Sequence, residues 1–188
     1  MIPTLFWQLL TISSAWSQGS TVDSDNPSGP AREFSRTMTV EKHEVEVVVR
    51  DFSGLETYTC LRRPLYKDVR VVLMCFDISS YDSLDNTVEQ WVHEADAYLR
   101  DVPKILVGCK KDRRDQDMES LDHAEKAQMV SPYKAGRIAH KIKALAYFET
   151  SALKRQGLDE LFTYAAGFSM AKPMARKSLG FRRFLLRT

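Results

Sequence analysis

The stretch from Glu46 to Gly54, Glu-Val-Val-Val-Arg-Asp-Phe-Ser-Gly, constrains the fold more than any other part of the chain. Three consecutive valines predict a strand buried on both faces, as in a parallel or mixed sheet. The strand leads directly into Asp51 and, three residues later, Gly54. A carboxylate at the carboxyl end of a buried strand lies where open α/β sheets bind ligands. Glycine there lets a backbone amide approach the ligand closely. Because Asp-x-x-Gly turns are common, this segment alone is weak evidence for a ligand site. The prediction becomes strong only together with two further segments downstream.

Buried strands and amphipathic helices alternate through the rest of the chain. Apolar runs predict strands, and one-sided apolar stripes after serine caps predict helices. The strands are expected over Thr37–Glu41, Val45–Arg50, Val69–Asp77, Lys104–Cys109 and Ala146–Phe148, the first two as a hairpin around Lys42-His43-Glu44. The inward helix positions are expected at Leu84, Val88, Trp91, Val92, Ala95, Tyr98 and Leu99, then at Ala135, Ile138, Ala139 and Ile142, and last at Leu158, Leu161, Phe162 and Ala165. This order predicts an α/β fold, a doubly wound mixed sheet of five to six strands with helices on both faces.

Composition excludes several classes of function. A net charge of +2 on 188 residues, with no long basic stripe, gives no argument for a nucleic-acid partner. The three cysteines, Cys60, Cys75 and Cys109, have no metal-ligand spacing. Cys75 and Cys109 lie in apolar runs and are expected to be buried reduced thiols, which predicts a cytoplasmic protein. No apolar run is long enough to span a bilayer.

The two ends of the chain are predicted to lie outside the domain, which is expected to cover residues 37–170. The apolar stretch of residues 2–16 with the polar stretch after it fits either a secretory signal or a divergent, disordered segment within residues 1–36; the missing basic residue and Gln8 argue against the signal. The basic tail of residues 171–188 fits either weak peripheral contact with an anionic membrane or a disordered tail.

Polar clusters follow three of the predicted strands. They are Asp51 with Gly54, Lys110 with Asp112, and Ser151 with Ala152. In a parallel sheet all three emerge at the same carboxyl edge. A carboxylate there accepts two hydrogen bonds from an N–H and NH₂ edge, a lysine stem lies over a ring, and a backbone amide donates to a ring carbonyl. Together these groups predict a guanine site.

The chain from Thr37 to about Met170 resembles a small GTPase, and within that superfamily the Rho family. The most specific motifs are Val72-Leu73-Met74-Cys75-Phe76-Asp77-Ile78, Asp82-Ser83-Leu84, Val102-Pro103-Lys104-Ile105-Leu106-Val107-Gly108 and the charged insert of residues 113–130. The resemblance implies a P-loop-NTPase-like fold and a GTP/GDP switch with Mg²⁺ that binds Rho-type effectors or regulators.

The resemblance also implies a role for each site residue. Asp112 reads the guanine edge, Lys110 packs on the base, and Ser151 with Ala152 supplies the last contact with guanine. Asp51 reaches Mg²⁺ through water, and the Gly54 amide senses the γ-phosphate.

Five departures bear on function. The family's water-orienting glutamine is replaced by Leu55, which can neither donate nor accept a hydrogen bond, so hydrolysis by that route is expected to be lost. Cys109 replaces the asparagine or threonine that opens the guanine motif, and Leu153 displaces the lysine expected after Ala152. The C-a-a-X prenylation signal is absent, since no cysteine follows Cys109.

The fifth departure is the most serious, because no G-x-x-x-x-G-K-[ST] motif occurs. Residues 5–12 followed by Ser14 to Thr21 fit either a degenerate first strand with its phosphate loop or chance similarity, and chance is favoured. Three functional hypotheses follow. They are a nucleotide switch without hydrolysis and with weak affinity, a nucleotide-independent pseudo-GTPase binding module, and a defective product whose missing first strand leaves valine-rich edges exposed.

Overall fold

A computed structural model describes residues 12–17, 31–52, 63–115, 129–171 and 183–187. Within them the chain forms one six-stranded sheet with helices on both faces. The strands are β1 (Ala31–Val40), β2 (His43–Phe52), β3 (Val69–Asp77), β4 (Lys104–Cys109), β5 (Tyr147–Glu149) and β6 (Arg183–Arg187). Their order is β1-β2-β6-β3-β4-β5, and only β1 runs antiparallel to its neighbour.

The hairpin of β1 and β2 is longer than the sequence predicts. Ten register pairs join Ala31↔Phe52 to Val40↔His43, and only Glu41 and Lys42 form the turn. Both turn residues have positive φ, 48° and 69°, the backbone of a tight two-residue hairpin loop. The predicted loop Lys42-His43-Glu44 is therefore wrong by one residue at its start, where Glu41 belongs to the turn, and by two at its end, where His43 and Glu44 are paired.

The helices pack on the two faces of the sheet. Residues 12–17 form α1; α2 is a continuous run of Tyr81–Asn86, a π-helical turn Thr87–Val92 and His93–Tyr98; the others are α3 (Lys111–Asp115), α4 (Pro132–Lys141) and α5 (Leu158–Ala171). A 3-10 turn spans Arg63–Tyr66. The predicted caps are confirmed. The Ser80 hydroxyl accepts from Ser83 N at 3.1 Å, and the Ser131 hydroxyl accepts from Lys134 N at 3.2 Å.

Each face of the sheet has its own apolar core. On one face, α5 and α1 cover the sheet, and Trp16 stacks on Phe162 with ring centroids 4.1 Å apart. On the other face, α2 and α4 contribute Leu84, Ala95 and Ala139. The predicted strands β3 and β4 are confirmed with the same bounds, and β5 is shifted by one residue.

Most of the predicted inward positions are confirmed. All four of α5 are buried, and so are Leu84, Val92, Ala95, Leu99, Ala135, Ala139 and Ile142. Tyr98 is the exception, because its ring is exposed and lies beside Arg63 with the guanidinium carbon 4.4 Å from the ring centroid. Cys75 and Cys109 are buried free thiols as predicted, and Cys60 lies outside the described residues.

The strand β6 is the main departure from the sequence prediction. Residues 183–187 were expected in a tail outside the domain, on a membrane or disordered. They instead pair in parallel with β2 on one side and β3 on the other. The exposed valine-rich edges of the third hypothesis are not seen at β2, because β1 and β6 pair with it on its two sides. The domain boundaries themselves stay predictions, although strands at both flanks join the sheet.

No helix among the described residues is both long and apolar enough to cross a membrane.

Candidate functional site

Asp112 and Ser151 meet at the carboxyl edge of the sheet. Asp112 lies in the first turn of α3, directly after β4, and is 7% exposed. The Ser151 hydroxyl donates a hydrogen bond to Asp112 Oδ1 and accepts one from Lys154 N at 3.0 Å. The structure therefore brings together two of the predicted guanine-binding residues from loops that are far apart in sequence.

Backbone hydrogen bonds hold these two loops in register. Thr150 N donates to Gly108 O at 2.8 Å, and Lys111 N donates to Thr150 O at 2.9 Å. Ser151 and Gln156 exchange two backbone hydrogen bonds of 3.0 and 2.9 Å, which close the turn that contains Ala152. The carboxylate of Asp112 and the amides of this turn are thus fixed by backbone geometry.

Gly108 allows the close packing beneath the site. A Cβ atom at this position would lie 2.8 Å from Tyr147 Oη and 2.9 Å from Ile78 Cγ1. Such distances are shorter than van der Waals contact, so any larger residue would displace the side chains of Tyr147 and Ile78.

Lys110 adopts a left-handed backbone, with φ 60°, between β4 and α3. Its Nζ lies 2.8 Å from Oδ2 of Asp77, the last residue of β3. Burial alone would raise the pKa of Asp77, but hydrogen bonds from Lys110 and Ser79 hold that pKa below its ordinary value. Sequence reasoning missed Asp77 as a site residue, although its position at the end of β3, on the edge where Lys110 was placed, was a signal for it.

A second ion pair, between Arg114 and Glu149, lies beside the site. Arg114 donates two hydrogen bonds to Glu149, one of 2.8 Å to Oε1, and Tyr147 Oη donates to the same oxygen at 2.7 Å. These bonds tie α3 to the end of β5. Sequence reasoning also missed this group, since charge pairs between distant segments leave no local pattern.

Cys109 is less polar than the asparagine or threonine that the resemblance places at this position. Cys109 is buried, and its Sγ lies 4.0 Å from Val107 O, a weak contact. Thr150, the residue before Ser151, is also buried, and its Oγ1 has no hydrogen-bond partner among the described residues. The thiol thus adds little hydrogen bonding to the guanine loop, as the sequence predicted. Ala152 is half-buried and packs against the core.

Asp51 is the next-to-last residue of β2. It is 3% exposed, and its Oδ2 has no hydrogen-bond partner within the part of the chain that the structure describes. Burial raises the pKa of Asp51 from 3.8 to about 7, with a smaller opposing effect of Arg32. β6 and β3 separate β2 from β4, and the ladders set Arg50 level with Val72 of β3, which pairs with Lys104 at the start of β4. The structure therefore brings Asp112 and Ser151 together but does not place Asp51 beside them.

A metal ion fits Asp51 in one respect only. An unpartnered buried carboxylate oxygen is suited to a Mg²⁺-bound water. However, the described residues contain no group of three or more His, Cys, Asp or Glu side chains that could hold a metal by themselves. Gly54 and Leu55 lie outside the described residues.

The phosphate side of the site has no counterpart in the described residues. Ser14 to Ser17, proposed as part of a degenerate phosphate loop, are helical in α1. Ile12 and Trp16 of this helix are buried in the core. The interpretation as a residual loop is therefore wrong for these residues, and residues 18–21 lie outside the description.

The sheet order and the polar carboxyl edge define a domain of the small-GTPase class. A family model described as "Ras family" matches residues 12–169. Over 133 residues, which cover 70% of this chain and 67% of the other, the chain is 39% identical to "GTP-binding protein RHO1" of Candida albicans. The chain therefore belongs to the Ras family of small GTPases, in its Rho branch. The predicted family and fold class are confirmed.

Proposed function

We propose that the domain is a Rho-type switch that retains a guanine pocket and has lost GTP hydrolysis. The observation that carries the proposal is the buried contact of Asp112 with Ser151. This contact uses Asp112 Oδ1. In the proposed pocket the carboxylate of Asp112 accepts from the N1–H and N2 amino group of guanine. In the proposed pocket the amide of Ala152 donates to the base carbonyl, and the stem of Lys110 covers the ring.

Hydrolysis requires a group that orients the attacking water, and Leu55 cannot do this. Phosphate binding in this class draws on charge-assisted hydrogen bonds from a glycine-rich loop and its lysine. The sequence has no such loop. We therefore expect GDP and GTP to bind weakly, with the base providing most of the selectivity and Asp51 the only retained contact toward Mg²⁺.

A titration with a fluorescent GDP analogue in Mg²⁺ tests the guanine pocket. Asp112→Asn keeps an oxygen for Ser151 but presents an amide donor to the base, so we expect at least about tenfold weaker GDP binding. The matched control is Asp115→Asn on the same helix, where the side chain is exposed and binding should not change. Thermal melting in parallel should show a stability gain with GDP. Equal binding by wild type and Asp112→Asn would refute the pocket.

The second candidate is a nucleotide-independent binding module. The ion pair of Lys110 with Asp77 favours it, because that ammonium already has a buried partner without any ligand. Such a module would contact Rho-type effectors or regulators through residues 55–66 and the charged insert 113–130, and an anionic membrane through basic residues of the segment 171–188. A cooperative melt with no GDP binding would support this module, and loss of a cooperative melt would indicate a defective product.

A further inference from the structure

The strand β6 joins two halves of the sheet that otherwise share no ladder. Five register pairs connect it to β2, from Glu46↔Arg183 to Arg50↔Arg187. Three more connect it to β3, with an irregularity between Val69 and Val71. In the described sheet β2 does not pair with β3 directly. The hairpin β1–β2 is therefore attached to β3, β4 and β5 through the backbone of β6.

The strands on both sides of β6 are built for a central position. Val47, Val48 and Val49 of β2 are buried, as are Val71 and Val72 of β3. Without a strand between them, the facing N–H and C=O groups of both strands would lose their hydrogen bonds beside these apolar side chains. If such unpaired backbone groups are buried, they cost free energy because they have lost their hydrogen bonds to water. If they are exposed, the open strand edge can pair with another chain and aggregate.

The path of the chain places β6 next to its own slot. At the end of α5, Phe168 and Ser169 line a small pocket together with Val69 and Pro103, which stand at the amino ends of β3 and β4. The strand β6 begins at this same edge, because Arg183 pairs with Glu46 in a parallel ladder. The helix α5 thus returns the chain from the end of β5 to the start of β6, as a parallel crossover requires.

We propose that residues 183–187 are an intramolecular insertion strand on which the cohesion of the sheet depends, because they fill the central slot between β2 and β3. The slot takes an extended, apolar segment in parallel, and the occupant is this chain's own Arg-Phe-Leu-Leu-Arg. The inference does not depend on whether the protein binds a nucleotide.

Hydrogen exchange on the unmodified full chain is the first test. If β6 is inserted, the amides of residues 184–186 exchange on the order of 100-fold more slowly than in an unstructured peptide, together with those of residues 47–49. Exchange of residues 184–186 at the rate of a free peptide would overturn the proposal.

Cysteine cross-linking tests the register and the source of the strand. In the full chain, Glu46→Cys with Arg183→Cys joins register partners, whereas Glu46→Cys with Arg187→Cys sets the same residue types four positions out of register. With oxidised glutathione as oxidant, the first pair should form a disulfide within one chain, mapped by mass spectrometry against the native cysteines, and the second should not. A cross-link between two chains would show that a second copy supplies the strand. That result, or equal cross-linking of both pairs, would overturn the proposal.

Discussion

Replacing Asp51 with asparagine should remove a pH-dependent cost to stability. The Asp51 carboxyl is 3% exposed, and its Oδ2 lacks a partner within the described residues. Burial raises its pKa from 3.8 to about 7, because the charged form loses water without gaining sufficient hydrogen bonds. Asparagine has nearly the same shape and no charge, so Asp51→Asn isolates the ionisation of this one group.

The sign follows from proton linkage. The folded protein holds the Asp51 proton more tightly than the unfolded chain, so unfolding releases a proton between pH 4 and 7. The favourable contribution of the neutral acid is fully present below pH 3.8 and is lost as the pH rises through about 7. A shift of about three pKa units corresponds to about 4 kcal/mol. Since local relaxation and water entry reduce such values, we expect about 2 to 4 kcal/mol between pH 4 and pH 8.

The assay is urea unfolding of wild type and Asp51→Asn at several pH values from 4.5 to 8. The free energy of unfolding of the variant, relative to wild type, should increase steadily with pH. A constant offset from the buried amide does not affect this slope. The control is Asp85→Asn, an exposed residue on α2 for which the difference should not change with pH. A flat difference for Asp51→Asn, or one that falls with rising pH, would refute the buried-carboxylate argument.

Three further substitutions test the packing around the site. Gly108→Ala brings a methyl group against Tyr147 and should destabilise the fold by about 1 to 3 kcal/mol in chemical denaturation. Phe162→Ala removes a fully buried ring and should lower the free energy of unfolding by about 3 to 5 kcal/mol. For Glu149, burial acts to raise the pKa, but hydrogen bonds from Arg114 and Tyr147 keep it below its ordinary value. Glu149→Gln should therefore cost about 1 to 3 kcal/mol near pH 7, and less as the pH falls through the folded pKa.

Each of these substitutions has a matched control. Gly136→Ala on α4 meets no atom within 4 Å and should stabilise slightly, because alanine favours the helix. Tyr133→Ala removes a ring that is 76% exposed and should change stability by less than about 0.5 kcal/mol. Glu44→Gln, the control for Glu149→Gln, changes an exposed residue of the hairpin and should leave stability almost unchanged. Equal effects of a test substitution and its control would contradict the packing argument for that residue.

Sequence patterns predicted the parts of the fold that depend on local composition. The strands β3 and β4 are almost purely apolar and bounded by charges, so both ends could be placed to the residue. The starts of α2 and α4 could be predicted because a serine stands before each helix as its N-cap. The residues Asp112 and Ser151 could be paired because both follow strands that share one carboxyl edge.

The remaining features depend on contacts that no local pattern records. The ion pair of Lys110 with Asp77 joins residues 33 positions apart, and either charge alone is typical of a solvated strand end. Tyr98 fits the apolar stripe of its helix but turns outward to Arg63. The β6 segment, Arg-Phe-Leu-Leu-Arg, is short and flanked by charge, and only the vacancy between β2 and β3 gives it a reason to be a strand.

The position of β6 also sets the order in which the protein can be completed during synthesis. The valine strand β2 is made early, yet its pairing partner on one side is translated more than a hundred residues later. Until that segment leaves the ribosome, the hairpin β1–β2 cannot be joined to the β3–β4–β5 half of the sheet. Both parts then have an unpaired strand edge that is prone to aggregation. Long-range closure of this kind makes folding slow, so the growing chain should depend on chaperones more than a sheet closed by neighbouring strands would.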